Sequence, residues 1–181
     1  MNVALDVAPG ARAVQLDPDF TVWRRLAPSE SPPILRDAVA APRLNVLVLD
    51  KTLNTEALKF AGAFGEGEVR AVAAAEAAAS RGALIVVGHS AAVDEYLHAH
   101  NLPERPEQVS SGDIQCWAIA DPGSRMVIVS LPAEAGAANA ALSQLARRLP
   151  HLSRYSWVTF QDNRISGRGN WPAMSPRIPV Q

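Results

Sequence analysis

The sequence predicts an α/β domain in three layers. Helices flank a mixed, mainly parallel sheet, and a short N-terminal β arm stands beside it. Three observations lead there. Leu44–Asp50 and Ala83–Gly88 are compact apolar runs, the pattern of strands covered on both faces. Helical stretches alternate with such runs from Leu44 to His100, and crossover helices are the natural cover for sheet faces that would otherwise meet water. A tight-turn signal, Asp121-Pro122-Gly123-Ser124, separates two later apolar runs and predicts an antiparallel pair.

The elements follow in order. In residues 1–26, Val3, Leu5 and Val7 alternate with polar or small neighbours, as does the Ala13–Leu16 stretch. Pro9-Gly10 lies between them, so a small hairpin is expected. A lone hairpin is marginally stable in water and needs something to pack on, here or on a neighbour. Phe20, Trp23 and Leu26 recur at helical spacing and suggest one anchoring turn. Residues 27–43 form a connector broken by Pro28, Pro32 and Pro33, with a helical turn expected at Ile34–Ala40.

Residues 44–165 make up the α/β domain. The Leu44–Asp50 strand leads to a helix over Asn54–Phe64, with Leu58 and Ala61 facing inward and Gly65 and Gly67 closing it. A short strand at Val69–Val72 precedes an alanine-rich helix that runs through Ala79 and stops near Gly82. After the Ala83–Gly88 strand comes a helix over Ala91–His100, ended by Asn101-Leu102-Pro103. Beyond a polar loop, Ile114–Ala120 and Met126–Leu131 are the antiparallel pair, expected near the sheet edge. A helix over Ala133–Leu149 presents Leu142 and Leu145 to the core, and Tyr155–Phe160 is the final strand. Residues 166–181 read as an irregular tail wrapping the surface.

Composition excludes several classes. Apolar types make up 48% of the 181 residues and charged types 19%, enough apolar material for a real core. No apolar run approaches the ~20 residues that span a bilayer, and no basic stretch followed by an apolar block marks a signal peptide. Cys116 is the single cysteine, which rules out an internal disulfide or a multi-cysteine metal cluster. The 17 basic and 18 acidic residues give a net charge of −1. The basic residues, arginines apart from Lys51 and Lys59, are scattered along the chain, and no nucleic-acid partner is expected.

No catalytic, cofactor-binding or metal-binding residue is assigned. His89, His98, His100 and His151 lack the spacing of metal ligands. The segment after the first strand, Asp50-Lys51-Thr52-Leu53-Asn54, lacks the glycines of a phosphate loop, so no cofactor is expected. An anion could meet a helix start at Thr52–Asn54 or Ser90, a property common to parallel sheets. Trp117 and Trp157 are expected on or beside the sheet, with Trp171 apart from them, and Cys116 as an inert buried thiol.

One alternative is chemical. Gly88-His89-Ser90-Ala91-Ala92 follows a strong strand and opens a helix, where a nucleophile elbow holds its serine. Asp121 and His151 complete the order serine, acid, histidine of a small serine hydrolase. Against it, the chain upstream of Ser90 is short, no glycine run offers a second oxyanion donor, and the same residues describe a strand exit with Ser90 as helix N-cap.

Two stretches carry a family resemblance. Leu16-Asp17-Pro18-Asp19-Phe20-Thr21-Val22-Trp23-Arg24-Arg25-Leu26, with Pro28-Ser29-Glu30-Ser31-Pro32-Pro33, resembles a segment of bacterial M1-type (gluzincin) metallopeptidases that follows the catalytic domain. Leu149-Pro150-His151-Leu152-Ser153-Arg154-Tyr155-Ser156-Trp157-Val158-Thr159-Phe160, then Gly169-Asn170-Trp171, resembles the end of the same α/β tail. The family's zinc ligands and general-base glutamate have no counterpart in this sequence, so no catalytic residue carries over. The resemblance implies a non-catalytic accessory or interaction domain of a zinc-aminopeptidase-like parent. Its partner would be a protein, or a catalytic domain, met through the N-terminal β arm.

Overall fold

A computed structural model of the chain describes residues 13–15, 31–79, 82–119, 125–172 and 177–179. Ala13–Gln15 (β1) is followed by Leu35–Val39 (α1), Arg43–Val48 (β2) and Asn54–Phe64 (α2), the last entered through a 3-10 turn at Lys51–Leu53. Glu68–Ala71 (β3), Ala74–Ala79 (α3), Ala83–His89 (β4) and Ser90–Ala99 (α4) continue the alternation. Ile114–Ala118 (β5), Met126–Leu131 (β6), Ala135–Leu152 (α5), Trp157–Gln161 (β7), Arg164–Gly169 (β8) and Arg177–Pro179 (β9) complete the order.

Seven strands form one sheet in the order β3-β2-β4-β6-β5-β7-β8. β3, β2, β4 and β6 are mutually parallel, while β5, β7 and β8 join by antiparallel pairing. The α/β class is therefore as the sequence predicts. The central strands owe their unbroken apolar character to cover on both sides. On one face Val46, Ile85, Val87, Val129, Val158 and Phe160 meet Phe60 and Phe64 of α2 and Leu142, Leu145 and Leu149 of α5. On the other, Leu47, Leu84, Val86, Trp117 and Ile128 meet Val93, Tyr96 and Leu97 of α4. Each such fully buried side chain contributes about 1.5–3 kcal/mol. Alanines at 57, 61, 138 and 141, all buried, let α2 and α5 lie close together over the first face.

Four expectations change. The β5–β6 pair is antiparallel as read, but it lies in the middle of the sheet, because β7 and β8 add outside β5. The 121–124 turn lies outside the described residues. The last long helix does not end at Leu149; it runs through Pro150 to Leu152. A proline so near the helix end forfeits one backbone bond, while Leu149 and Leu152 stay buried and Ser153 Oγ donates to the Pro150 carbonyl at 3.0 Å. Residues 166–181 are not wholly irregular: β8 extends to Gly169, and β9 pairs antiparallel with β1. Ala13–Gln15 thus pairs with the C-terminal region. The other half of the expected hairpin, like Phe20 to Leu26, lies outside the described residues.

Two local features show how side chains set these elements. Glu134 caps α5, its carboxylate accepting from the N–H groups of Gly136 at 3.0 Å and Ala137 at 2.7 Å. Gly62, within α2, has open space where a Cβ would stand. Gly62→Ala should therefore stabilise the domain by about 0.5–1 kcal/mol, since alanine loses less backbone entropy in a helix. A thermal melt of the variant checks this, with a rise in Tm as the expected result.

Candidate functional site

In doubly wound sheets, ligands bind outside the carboxyl ends of strands, where neighbouring strands send their helices to opposite faces. β4 sends α4 to the second face, and its neighbours β2 and β6 send α2 and α5 to the first. The corresponding crevice of this sheet opens at the end of β4, between the ends of β2 and β6.

His89, the last residue of β4, spans it. Its Nδ1 lies 2.5 Å from the Pro132 carbonyl oxygen after β6, and its Nε2 lies 3.2 Å from Asp50 Oδ2 after β2. A carbonyl and an ionised carboxylate only accept, so the ring satisfies both when each nitrogen carries a hydrogen. Asp50 is held in turn by Thr52, whose N–H and hydroxyl donate to Oδ1 at 2.9 and 2.8 Å. The Thr52 backbone N–H, then its hydroxyl, hold the Asp50 carboxyl below its ordinary range, with His89 adding to the effect. A carboxylate so lowered contributes stability above its unfolded value and loses it as pH falls through the folded one.

Beside His89, Arg105 latches the loop after α4 onto the sheet. Its Nη2 donates to Ser90 Oγ at 2.9 Å, to the Ser90 carbonyl at 3.2 Å and to Asp94 Oδ1 at 2.7 Å. Its Nε donates to the same Asp94 oxygen at 3.0 Å, and its Nη1 to Ser130 Oγ at 3.1 Å. The guanidinium lies 5.4 Å from the Trp117 ring centroid, and the side chain is only 13% exposed. The polar side chains at this edge are thus spent on one another.

Ser90 stands at the strand-to-helix junction, as a nucleophile elbow requires. It is not the N-cap, however; His89 occupies that position and Ser90 is the first helical residue. Its hydroxyl accepts from a guanidinium, which has no lone pair to take a proton. The neighbouring imidazole is turned to Asp50 and Pro132. α5 connects the C-terminal end of β6 to the start of β7, which runs parallel to β6, so His151 lies toward the opposite edge of the sheet. Asp121 lies outside the described residues. Ser90 and His151 are not brought together.

The other singled-out residues take structural places. His98 and His100 are exposed near the end of α4, with His100 tilted against Tyr96 at 4.4 Å between ring centroids. Trp117 is fully buried and Trp157 packs against the same core, as expected; Trp171 joins them. Cys116 is buried in β5, and burial pushes its thiol far up from its ordinary value. A disulfide-exchange reagent should therefore leave the folded chain unmodified at neutral pH and titrate one thiol per chain once denaturant is added. Rapid labelling before unfolding would contradict that burial.

Ser156, Asn170 and Trp171 form a clasp between the start of β7 and the chain beyond β8. Ser156 Oγ accepts from the Trp171 N–H at 3.0 Å, and Asn170 Oδ1 accepts from the Ser156 N–H at 2.9 Å. Trp171 Nε1 donates to the Ala118 carbonyl at 2.8 Å. This seals the end of the second core. Most of the earlier stretch with a family resemblance, residues 16–30, lies outside the described residues. Neither the models of known protein families nor the curated proteins compared with this chain give a match.

Sequence reasoning missed Asp50, Arg105 and Ser130 as members of one cluster. Asp50 had a local signal, an aspartate two residues ahead of a threonine at a helix start. Arg105 had none, since its partners lie on α4 and β6, far along the chain.

Proposed function

We propose that this chain is a non-catalytic accessory or interaction domain, similar to the C-terminal part of an M1-type metallopeptidase. One observation carries the reading. The crevice where doubly wound sheets bind ligands is spanned by His89, which bridges β2, β4 and β6, and flanked by the Arg105 latch. A site built for turnover leaves its nucleophile beside a base and keeps room for substrate. Here Ser90 is beside a permanent cation. The Ser156–Asn170–Trp171 clasp gives the resembling residues a packing role, which suits a tail that supports chemistry on another domain.

A fluorophosphonate probe tests this. The folded chain should show no more labelling than Ser90→Ala, and Arg105→Ala should leave that result unchanged. Stoichiometric labelling lost in Ser90→Ala would replace the proposal with a serine hydrolase.

A further inference from the structure

The arginines scattered through the sequence do not stay scattered in space. Arg147 and Arg148 lie on the exposed side of α5, and Arg168 of β8 pairs in register with Val158 and so projects on the same face of the sheet as α5. Arg154 joins them: Tyr155 has the Arg154 guanidinium 5.1 Å and the Arg168 guanidinium 5.3 Å from its ring centroid. Among the described residues none of these four forms an ion pair, whereas Arg36, Arg70 and Arg105 meet Glu66, Glu76 and Asp94. A groove of about 420 Å³ runs beside Arg147 and Arg148, lined also by Ser143, Gln144 and Asn163, whose carbonyl accepts from Arg148.

β8 is the terminal strand of the sheet, so its outer row of backbone N–H and C=O groups faces no strand of that sheet. It carries Ile165, which is 41% exposed and, like Arg168, lies on the α5 side, opposite Phe160. We propose that the outer edge of β8 is a docking site for an extended acidic segment of a partner protein, which adds as an eighth strand. An apolar side chain of that segment covers Ile165, and acidic side chains meet Arg168, Arg147 and Arg148.

Charge selects this occupant over a second copy. An antiparallel pairing of two β8 strands brings Arg168 of both copies, with the arginines of both α5 helices, to one face of the joined sheet, where like charges repel.

The test is fluorescence anisotropy of a fluorescein-labelled peptide alternating glutamate with valine, titrated with the full chain. Saturable binding is expected. It should weaken about tenfold or more in Arg168→Glu, an exposed position whose fold is checked by circular dichroism. The same peptide N-methylated at alternate amides keeps its charge but cannot complete the strand ladder, and it should not bind. Equal binding of the methylated peptide, tighter binding of a single-stranded oligonucleotide, self-association of the chain in place of binding, or no binding would each overturn the proposal. Any of these would leave the fluorophosphonate result untouched, so the two readings fail separately.

Discussion

Trp117→Ala should destabilise the domain by roughly 3–5 kcal/mol, the range for truncating a buried large aromatic. Trp117 is only 1% exposed and packs in the second core with Val86, Val93 and Leu97. It also provides the face on which the Arg105 guanidinium rests. Small domains hold about 5–15 kcal/mol in all, so the variant should unfold at a much lower urea concentration. Trp117→Phe separates packing from hydrogen bonding. Among the described residues Trp117 Nε1 has no hydrogen-bond partner, so phenylalanine gives up area but no bond. Its loss should be much the smaller of the two. Equal losses would mean that the indole N–H matters more than the packed ring.

Gly67→Ala should cost about 1–3 kcal/mol, through overpacking against parts that cannot turn aside. A Cβ there meets the Ala41 carbonyl oxygen, the Pro42 oxygen at 2.6 Å and the Pro42 carbonyl carbon at 2.7 Å. All are backbone, and both segments are tied: Glu66 N–H donates to the Val39 carbonyl at 3.0 Å, and Glu68 N–H to the Pro42 carbonyl at 3.1 Å. Relief requires β3 to move away from β2. Hydrogen exchange should therefore show lost protection in β3 before the rest of the sheet. Gly88→Ala is the milder contrast, because its Cβ meets the Leu49 side chain at 2.9 Å, and a side chain can shift.

How legible the fold was depended on how many sides of a strand are buried. β4 is buried along nearly its whole length, so its apolar run announces a strand whatever its neighbours. β8 sits at the edge, mostly exposed, with the polar and small sequence Arg164 to Gly169, and no periodicity betrays it. A local signal was present all the same. Asp162 and Asn163 both adopt positive φ, 48° and 63°, the geometry of a two-residue hairpin turn, and Asp-Asn is a pair that tolerates it. Reading that dipeptide as a turn would have placed β8 and moved the β5–β6 pair away from the edge. Pro150 misled in the opposite direction, since a helix-breaking residue is cheap where the last turn is anchored by Leu149 and Leu152.

The site was less legible than the fold. The Gly88-His89-Ser90 stretch falls at a strand-to-helix junction as read, because that junction is a matter of local pattern. What surrounds Ser90 is a matter of tertiary contact. Asp50 and His89 meet only because β2 and β4 are parallel neighbours, and Arg105 reaches Ser130 only because the loop after α4 folds back across the sheet. A polar loop residue with three distant partners has no periodicity to find. The basic face by β8 escaped for the same reason: Arg154 and Arg168 meet at Tyr155, and Arg147 and Arg148 border Asn163, only through the return of the chain from α5 into the β7–β8 hairpin.

The decisive measurement is hydrolysis of activated esters and aminoacyl anilides by the purified full chain, compared at equal concentration with Ser90→Ala. Identical rates, equal to the background without protein, are what a crevice spanned by His89, with Ser90 held by Arg105, predicts. Turnover by the parent chain that disappears in the variant would contradict it.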